Sequence, residues 1–144
     1  MEPIVDHIQI TVQDIALAAR FYDRLMPLFG FDLQKRTGAT LPEQEFEVVE
    51  YSHPRLAFAI TSPRPSVRAD PVHRRRPGSL HHLAFRAKSR SEVDELYRRI
   101  ESIGAQIVAP PREYPEYTPT GYYSFFFKDP EGIKYEVVSH MESG

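Results

Sequence analysis

The chain has 144 residues, the size of one typical domain, and its 41% hydrophobic content is enough for a real core. A formal net charge of −2 gives no global attraction to nucleic acid or to an anionic membrane surface, and no apolar run approaches the ~20 residues of a membrane-spanning helix. With no cysteine there is no disulfide, thiolate metal site or cysteine nucleophile, and with no signal-peptide pattern after Met1 a soluble cytoplasmic protein is expected.

Residues 4–12 alternate Ile4, Asp6, Ile8, Ile10 and Val12 against Val5, His7, Gln9 and Thr11, the period of a half-buried strand. Asp14 is placed to cap a helix over 14–29, whose apolar residues Ile15, Leu17, Ala18, Phe21, Leu25, Leu28 and Phe29 recur at helical spacing; Gly30 ends it. Strands are predicted at 31–36, 46–51 and 56–61. Residues 62–79 hold Pro63, Pro65, Pro71, Pro77 and the run Arg74-Arg75-Arg76, and read as a linker.

The order then repeats. A strand over 80–88 leads to a helix that starts at Ser89 or Ser91, buries Val93, Leu96, Tyr97, Ile100 and Ile103, and ends at Gly104. Strands follow at 105–108, 122–127 and 133–139, with a Pro- and Tyr-rich loop at 110–121 that is long enough to cover a site. His7 and His82 lie 75 positions apart, as do Tyr22 and Tyr97, and Gly30 and Gly104 lie 74 apart. Three features in step mark a duplicated β-α-β-β-β unit. The expected fold is α+β: two tandem βαβββ modules, 3–61 and 80–140, joined by the 62–79 linker in one domain over 1–144. They would form a cupped, barrel-like mixed sheet with the helices outside.

Alternation along the strands points to a site. His7, His82 and Glu136 fall on the faces turned away from the helices, and a lone carboxylate within Tyr135-Glu136-Val137-Val138 would be costly to bury without a partner. Two imidazoles and one carboxylate suit one divalent metal ion, which keeps a net positive charge and so favours a small anionic or enolising substrate bound through two adjacent oxygens. An aromatic wall is expected around it, from Phe58 and from either Tyr123, Phe125 and Phe127 or Tyr122, Ser124 and Phe126. Within that wall Phe58, Phe125 and Arg86 are the candidate substrate contacts and Tyr123 the candidate acid. His81 should point to the opposite side from His82.

The paired units, His82-Leu83-Ala84-Phe85, and Phe126-Phe127-Lys128-Asp129-Pro130-Glu131-Gly132 leading to Glu136 resemble the vicinal oxygen chelate superfamily. That group includes glyoxalase I, extradiol dioxygenases, fosfomycin-resistance enzymes and bleomycin-binding proteins. The resemblance covers about residues 3–140 and implies His7, His82 and Glu136 as ligands of one divalent ion (iron, manganese, zinc or nickel), often in a homodimer. Glyoxalase I uses a fourth ligand, a glutamate on the last strand of its first module. Here that strand has Phe58 at the aligned place and no acid from 51 to 61, which disfavours that isomerase. A dioxygenase or lyase is the reading that remains, with a metal-free small-molecule binder of the bleomycin-resistance type as the alternative.

Overall fold

The computed structural model describes residues 1–140 and divides into two compact units, the first ending at Pro71 and the second beginning at Val72. The first runs β1 (His7–Thr11), α1 (Ile15–Leu25), β2 (Asp32–Leu41), β3 (Phe46–His53) and β4 (Leu56–Thr61). The second runs β5 (Leu83–Arg86), α2 (Arg90–Ser102), β6 (Gln106–Glu113), β7 (Tyr123–Lys128) and β8 (Lys134–Ser139). Each folds one mixed four-stranded sheet, in the orders β1-β4-β3-β2 and β5-β8-β7-β6. The parallel pairs are β1 with β4 and β5 with β8, and the other neighbours are antiparallel. The duplicated α+β architecture expected from the 75-residue offset is therefore present. Among the described residues no helix is long and apolar enough to cross a membrane.

Both helices begin at the residues suited to capping. The Asp14 carboxylate accepts from the Leu17 amide at 3.1 Å, and the Ser89 hydroxyl accepts from the Glu92 amide at 3.1 Å. Glu92 returns the favour by accepting from the Lys88 amide at 3.0 Å, close to a capping box. α1 is shorter than the predicted helix because its last turn tightens to a 3-10 turn at Met26–Phe29, with Pro27 inside it and Gly30 at φ +88° behind it. Its buried stripe also differs from the predicted one: Leu17 is 55% exposed, and Tyr22 is fully buried against Phe58. In the second unit Val93 and Ile100 of α2 are fully buried, and Tyr97 meets Phe125 edge-on, 5.4 Å between centroids.

Three boundaries moved. β2 extends to Leu41, because residues 37–41 pair with 50–46 of β3 after a bulge. β6 runs through Pro110 and Pro111, which the sequence placed in a loop; it is an edge strand, paired only with β7, and its register shifts between Ala109 and Arg112, where the prolines cost no ladder hydrogen bond. The 62–79 segment is divided between the units, and its first half is fastened to unit one by Gln13 donating to the Asp70 carbonyl at 2.6 Å.

The Asp129-Pro130-Glu131-Gly132 turn sets where β8 begins. Buried Asp129 accepts from the amides of Glu131 and Ile133 at 2.9 and 2.8 Å, and Gly132 takes φ +97°. Replacing Asp129 by Ala orphans both amides, so Asp129→Ala should lower the urea unfolding free energy by about 2 kcal/mol. Asp129→Asn, which retains one acceptor oxygen, should lose less.

Candidate active site

In the second unit, β7 and β8 decide which side chains share a face. Tyr123, Phe125 and Phe127 turn toward α2: the Tyr123 hydroxyl donates to Asp94 at 2.7 Å, and Phe125 is fully buried against Tyr97. Burial, then the bond to Asp94, pushes the Tyr123 phenol up to about 12. The candidate acid Tyr123 and candidate wall residue Phe125 thus belong to the helix side. The other face carries Tyr122, Ser124 and Phe126, the second of the two sets that alternation allowed.

On that face Glu136 is 2% exposed and both its oxygens are engaged. Oε2 accepts from the Tyr122 hydroxyl at 2.5 Å, and Oε1 lies 3.2 Å from His82 Nε2. Tyr122 is raised above its ordinary range, first by burial and then by the Glu136 carboxylate, so its phenol stays protonated at neutral pH. His82 packs edge-on to Phe126, centroids 5.8 Å apart, and Lys134 sets its ammonium 4.8 Å above the same ring. Segment 114–121 closes one end: Tyr114 is buried, stacks on Tyr117 at 5.0 Å, and meets both Tyr122 and Phe126 edge-on. Ser124 is fully buried here, and its hydroxyl has no partner among the described residues. Arg86 lies on an exposed position of β5.

His81 departs from expectation. Its Nδ1 lies 2.7 Å from Nδ1 of His82, so it turns back onto its neighbour. The reason is local: β5 does not begin until Leu83, and a residue ahead of the ladder is free of strict alternation. Desolvation, then the charges of His82, Lys134, Arg74 and Arg75, hold His81 below its usual range, which suits a neutral acceptor.

In the first unit His7 is exposed, and its Nδ1 lies 2.7 Å from the Asp6 carboxylate. Asp6 and His81 are themselves 75 positions apart, so the residue preceding each histidine occupies its Nδ1. Farther along this face, Gln9, Thr11, Thr61, Phe46 and Arg64 line a cavity of about 600 Å³. Phe58 is fully buried on the α1 side against Tyr22, not on the His7 face. The strand registers give the reason. Gln9 pairs with Ala59 as Ala84 pairs with Glu136, so Ala59 holds the place of Glu136 and Phe58 that of Tyr135. The alignment that put Phe58 there was one residue out of step. The first module still has no acid at that place.

A divalent ion requires donor atoms with free lone pairs and the right separation. His82 Nε2 and Glu136 Oε1, 3.2 Å apart, match two donors each ~2.1 Å from one ion at an angle near ~100°. Among the described residues of the second unit no third His, Asp or Glu joins that pair.

The sequence model of the Glyoxalase/Bleomycin resistance protein/Dioxygenase superfamily matches residues 4–137. The chain belongs to that superfamily. It is 27% identical to the uncharacterized protein YqjT of Bacillus subtilis, over 92% of this chain and 96% of that one. It is 24% identical to the 2,2',3-trihydroxybiphenyl dioxygenase of Sphingomonas paucimobilis, over 95% of this chain but only 43% of the dioxygenase. Among solved structures, a glyoxylase/bleomycin resistance protein/dioxygenase domain from Frankia sp. EAN1pec superposes with a TM-score of 0.75 at 22% identity, covering 96% of this chain and 98% of that one. A glyoxalase family protein from Enterococcus faecalis gives 0.71 at 20% identity, covering 94% and 97%. These two likenesses speak to the fold.

The two adjacent tyrosines should separate cleanly by mutation. Tyr123→Phe removes the bond to Asp94 and should cost about 1 kcal/mol of stability in urea unfolding. Tyr122→Phe leaves a buried carboxylate oxygen unmet and should cost more, about 2 kcal/mol.

Proposed function

We propose that this chain is a divalent-metal-dependent enzyme of the superfamily, acting on a small molecule held through two adjacent oxygens, with His7, His82 and Glu136 as the protein ligands. The observation that carries the reading is the arrangement of the imidazoles. Nδ1 of His7 is held by Asp6 and Nδ1 of His82 by His81, which leaves Nε2 of each as the donor atom. Carboxylates and other acceptors play this part behind metal-bound histidines in general, where they fix ring orientation and tautomer. Iron(II), manganese, zinc and nickel all accept two imidazoles and a carboxylate. Such an ion supplies Lewis-acid polarisation of the chelated oxygens and orients the substrate.

The chain's own residues supply the rest. Glu136 is held by Tyr122 through one oxygen, which leaves Oε1 directed toward His82. Tyr122, protonated and on the ligand face, holds a proton at its hydroxyl where Tyr123 cannot. Phe126 and Tyr114 form an apolar floor that suits a small aromatic substrate. The dioxygenase relative supports chemistry of a dioxygenase or lyase kind, since a 2,2',3-trihydroxybiphenyl carries hydroxyls on adjacent carbons. One observation favours the alternative, a metal-free binder: both Glu136 oxygens already have partners within the chain, so the carboxylate is satisfied without an ion.

Elemental analysis of protein purified without added metal decides between them. The enzyme reading expects about one divalent ion per chain. His82→Ala should abolish metal uptake with modest loss of stability. His81→Ala, in which His82 loses its Nδ1 partner, should weaken uptake by about tenfold without abolishing it. Metal-free protein whose His82→Ala variant takes up a supplied ion as well as the wild type would sink the assignment in favour of the binder.

A further inference from the structure

The two modules treat the same face of their sheets differently. In the second unit the connection between β6 and β7, residues 114–122, folds back over the face opposite α2, where buried Tyr114 meets Tyr122 and Phe126. In the first unit the equivalent connection, from β2 to β3, is only the short turn 42–45. The face opposite α1 therefore stays open, as the cavity of about 600 Å³. Small-molecule sites span roughly 300–1,000 Å³, so the cavity is large enough for one. Gln9 and Thr11, which continue the His7 face of β1, form its floor with Thr61, the partner of Thr11 in β4. Residues 43–46 wall one side and residues 62–64 the other.

The two walls are clasped together. The Arg64 guanidinium donates to the Glu45 carboxylate at 2.6 Å. The Ser62 hydroxyl accepts from the Glu47 amide at 2.9 Å, and the Ser62 amide donates to the Glu47 carbonyl at 3.0 Å. Glu45 is also the one described non-glycine residue in the left-handed region, at φ +58°, which an L side chain adopts at a cost. The cavity is thus formed before any ligand enters. Inside it Thr61 donates to the Ile10 carbonyl at 3.0 Å, while the Thr11 hydroxyl has only a long contact with Thr61, at 3.5 Å. The side-chain amides of Gln9 and Gln44 have no partner among the described residues. Of the charged groups, Arg64 and Glu45 cancel, and Glu43 remains to repel an anion. Half-buried Phe46 adds an apolar surface.

We infer that this cavity binds a neutral, hydroxyl-rich molecule of the sugar or polyol class, with Gln9, Thr11 and Gln44 as its hydrogen-bonding groups and Phe46 against its carbon skeleton. A carboxamide sets a donor beside an acceptor, so one glutamine meets two adjacent hydroxyls of such a molecule, each of which both donates and accepts. A purely apolar ligand would leave these groups unmet, and an anion would face Glu43. The site uses no metal ligand and does not depend on the proposed reaction.

The test is titration of the full chain with methyl glucoside and, in parallel, myo-inositol, followed by NMR of the backbone and glutamine side-chain amides. At least one of the two should bind and move the side-chain signals of Gln9 and Gln44. Glucuronate, a sugar of the same skeleton with a carboxylate, should bind about tenfold more weakly than methyl glucoside. Gln9→Leu and Gln44→Leu should each weaken binding by about tenfold, the loss expected for one or two hydrogen bonds. Thr11→Val should weaken it as well, whereas Thr11→Ser, which keeps the hydroxyl, should bind as the wild type does. That pair separates loss of the hydroxyl from loss of packing. Gln106→Leu, the same change on an exposed position of β6 in the second unit, should have no effect. Wild-type protein that binds neither neutral ligand, a preference for glucuronate, or cavity variants that all bind as well as the wild type would each overturn the site. A repeat of the titration with a chelator present keeps the result distinct from the metal reading. Binding that persists there supports the site, and binding lost only on chelation assigns the ligand to a metal centre and overturns it.

Discussion

The second unit is organised around a carboxylate that should not be buried. Glu136 sits mid-strand in β8 among Tyr135, Val137 and Val138, and its carboxyl group is held there by the Tyr122 hydroxyl on one oxygen, with His82 Nε2 against the other. That requirement fixes much else. It demands that Tyr122 and Phe126, not Tyr123 and Phe125, face away from α2, and that β5 enter the sheet next to β8 with His82 just ahead of its first paired residue. The Asp129 turn sets the β7–β8 register that makes Phe126 the partner of Glu136. A slip of one residue would turn the carboxylate into the helix-side core.

The duplicated fold was legible because it is written in periodicities and caps. Asp14, Ser89, Gly30 and Gly104 mark helix ends through local chemistry that does not depend on tertiary context. Glu136 was legible as a residue turned away from the helix because strand alternation is a strict rule within the β8 ladder, and the structure sets His82 3.2 Å from it. What alternation could not supply was sign: it divides β7 into two sets of side chains without saying which meets the helix. The choice of Tyr123 over Tyr122 failed there, since only the packing of Tyr97 on Phe125 and the bond from Tyr123 to Asp94 decide it. Phe58 failed for a related reason. Its placement relied on aligning two turns of different composition, whereas the true equivalence runs through the parallel pairing of β1 with β4 and β5 with β8. His81 was misjudged by applying alternation one step before the strand began.

The two modules have diverged around a shared plan. Each places a histidine at the entry to its first strand and a polar residue just before it, yet the partner at Nδ1 is the Asp6 carboxylate in one and the His81 imidazole in the other. Each has a helix-side aromatic at the same place on its last strand, Phe58 and Tyr135, but only the second follows it with an acid, where the first has Ala59. Duplication thus explains the backbone and the repeated imidazole, while the chemistry on the last strand belongs to one half only.

The crowding of tyrosines has an optical consequence. The chain contains eight tyrosines and no tryptophan, so its intrinsic ultraviolet fluorescence comes from phenols alone. Tyr114, Tyr117 and Tyr122 lie within ring contact of one another at the Glu136 face, and Tyr122 donates its proton directly to a carboxylate, a bond that quenches phenol emission. Anything that competes for that carboxylate releases the quench. The fold therefore carries its own reporter of the Tyr122–Glu136 bond, free of the indole background that masks tyrosine in most proteins.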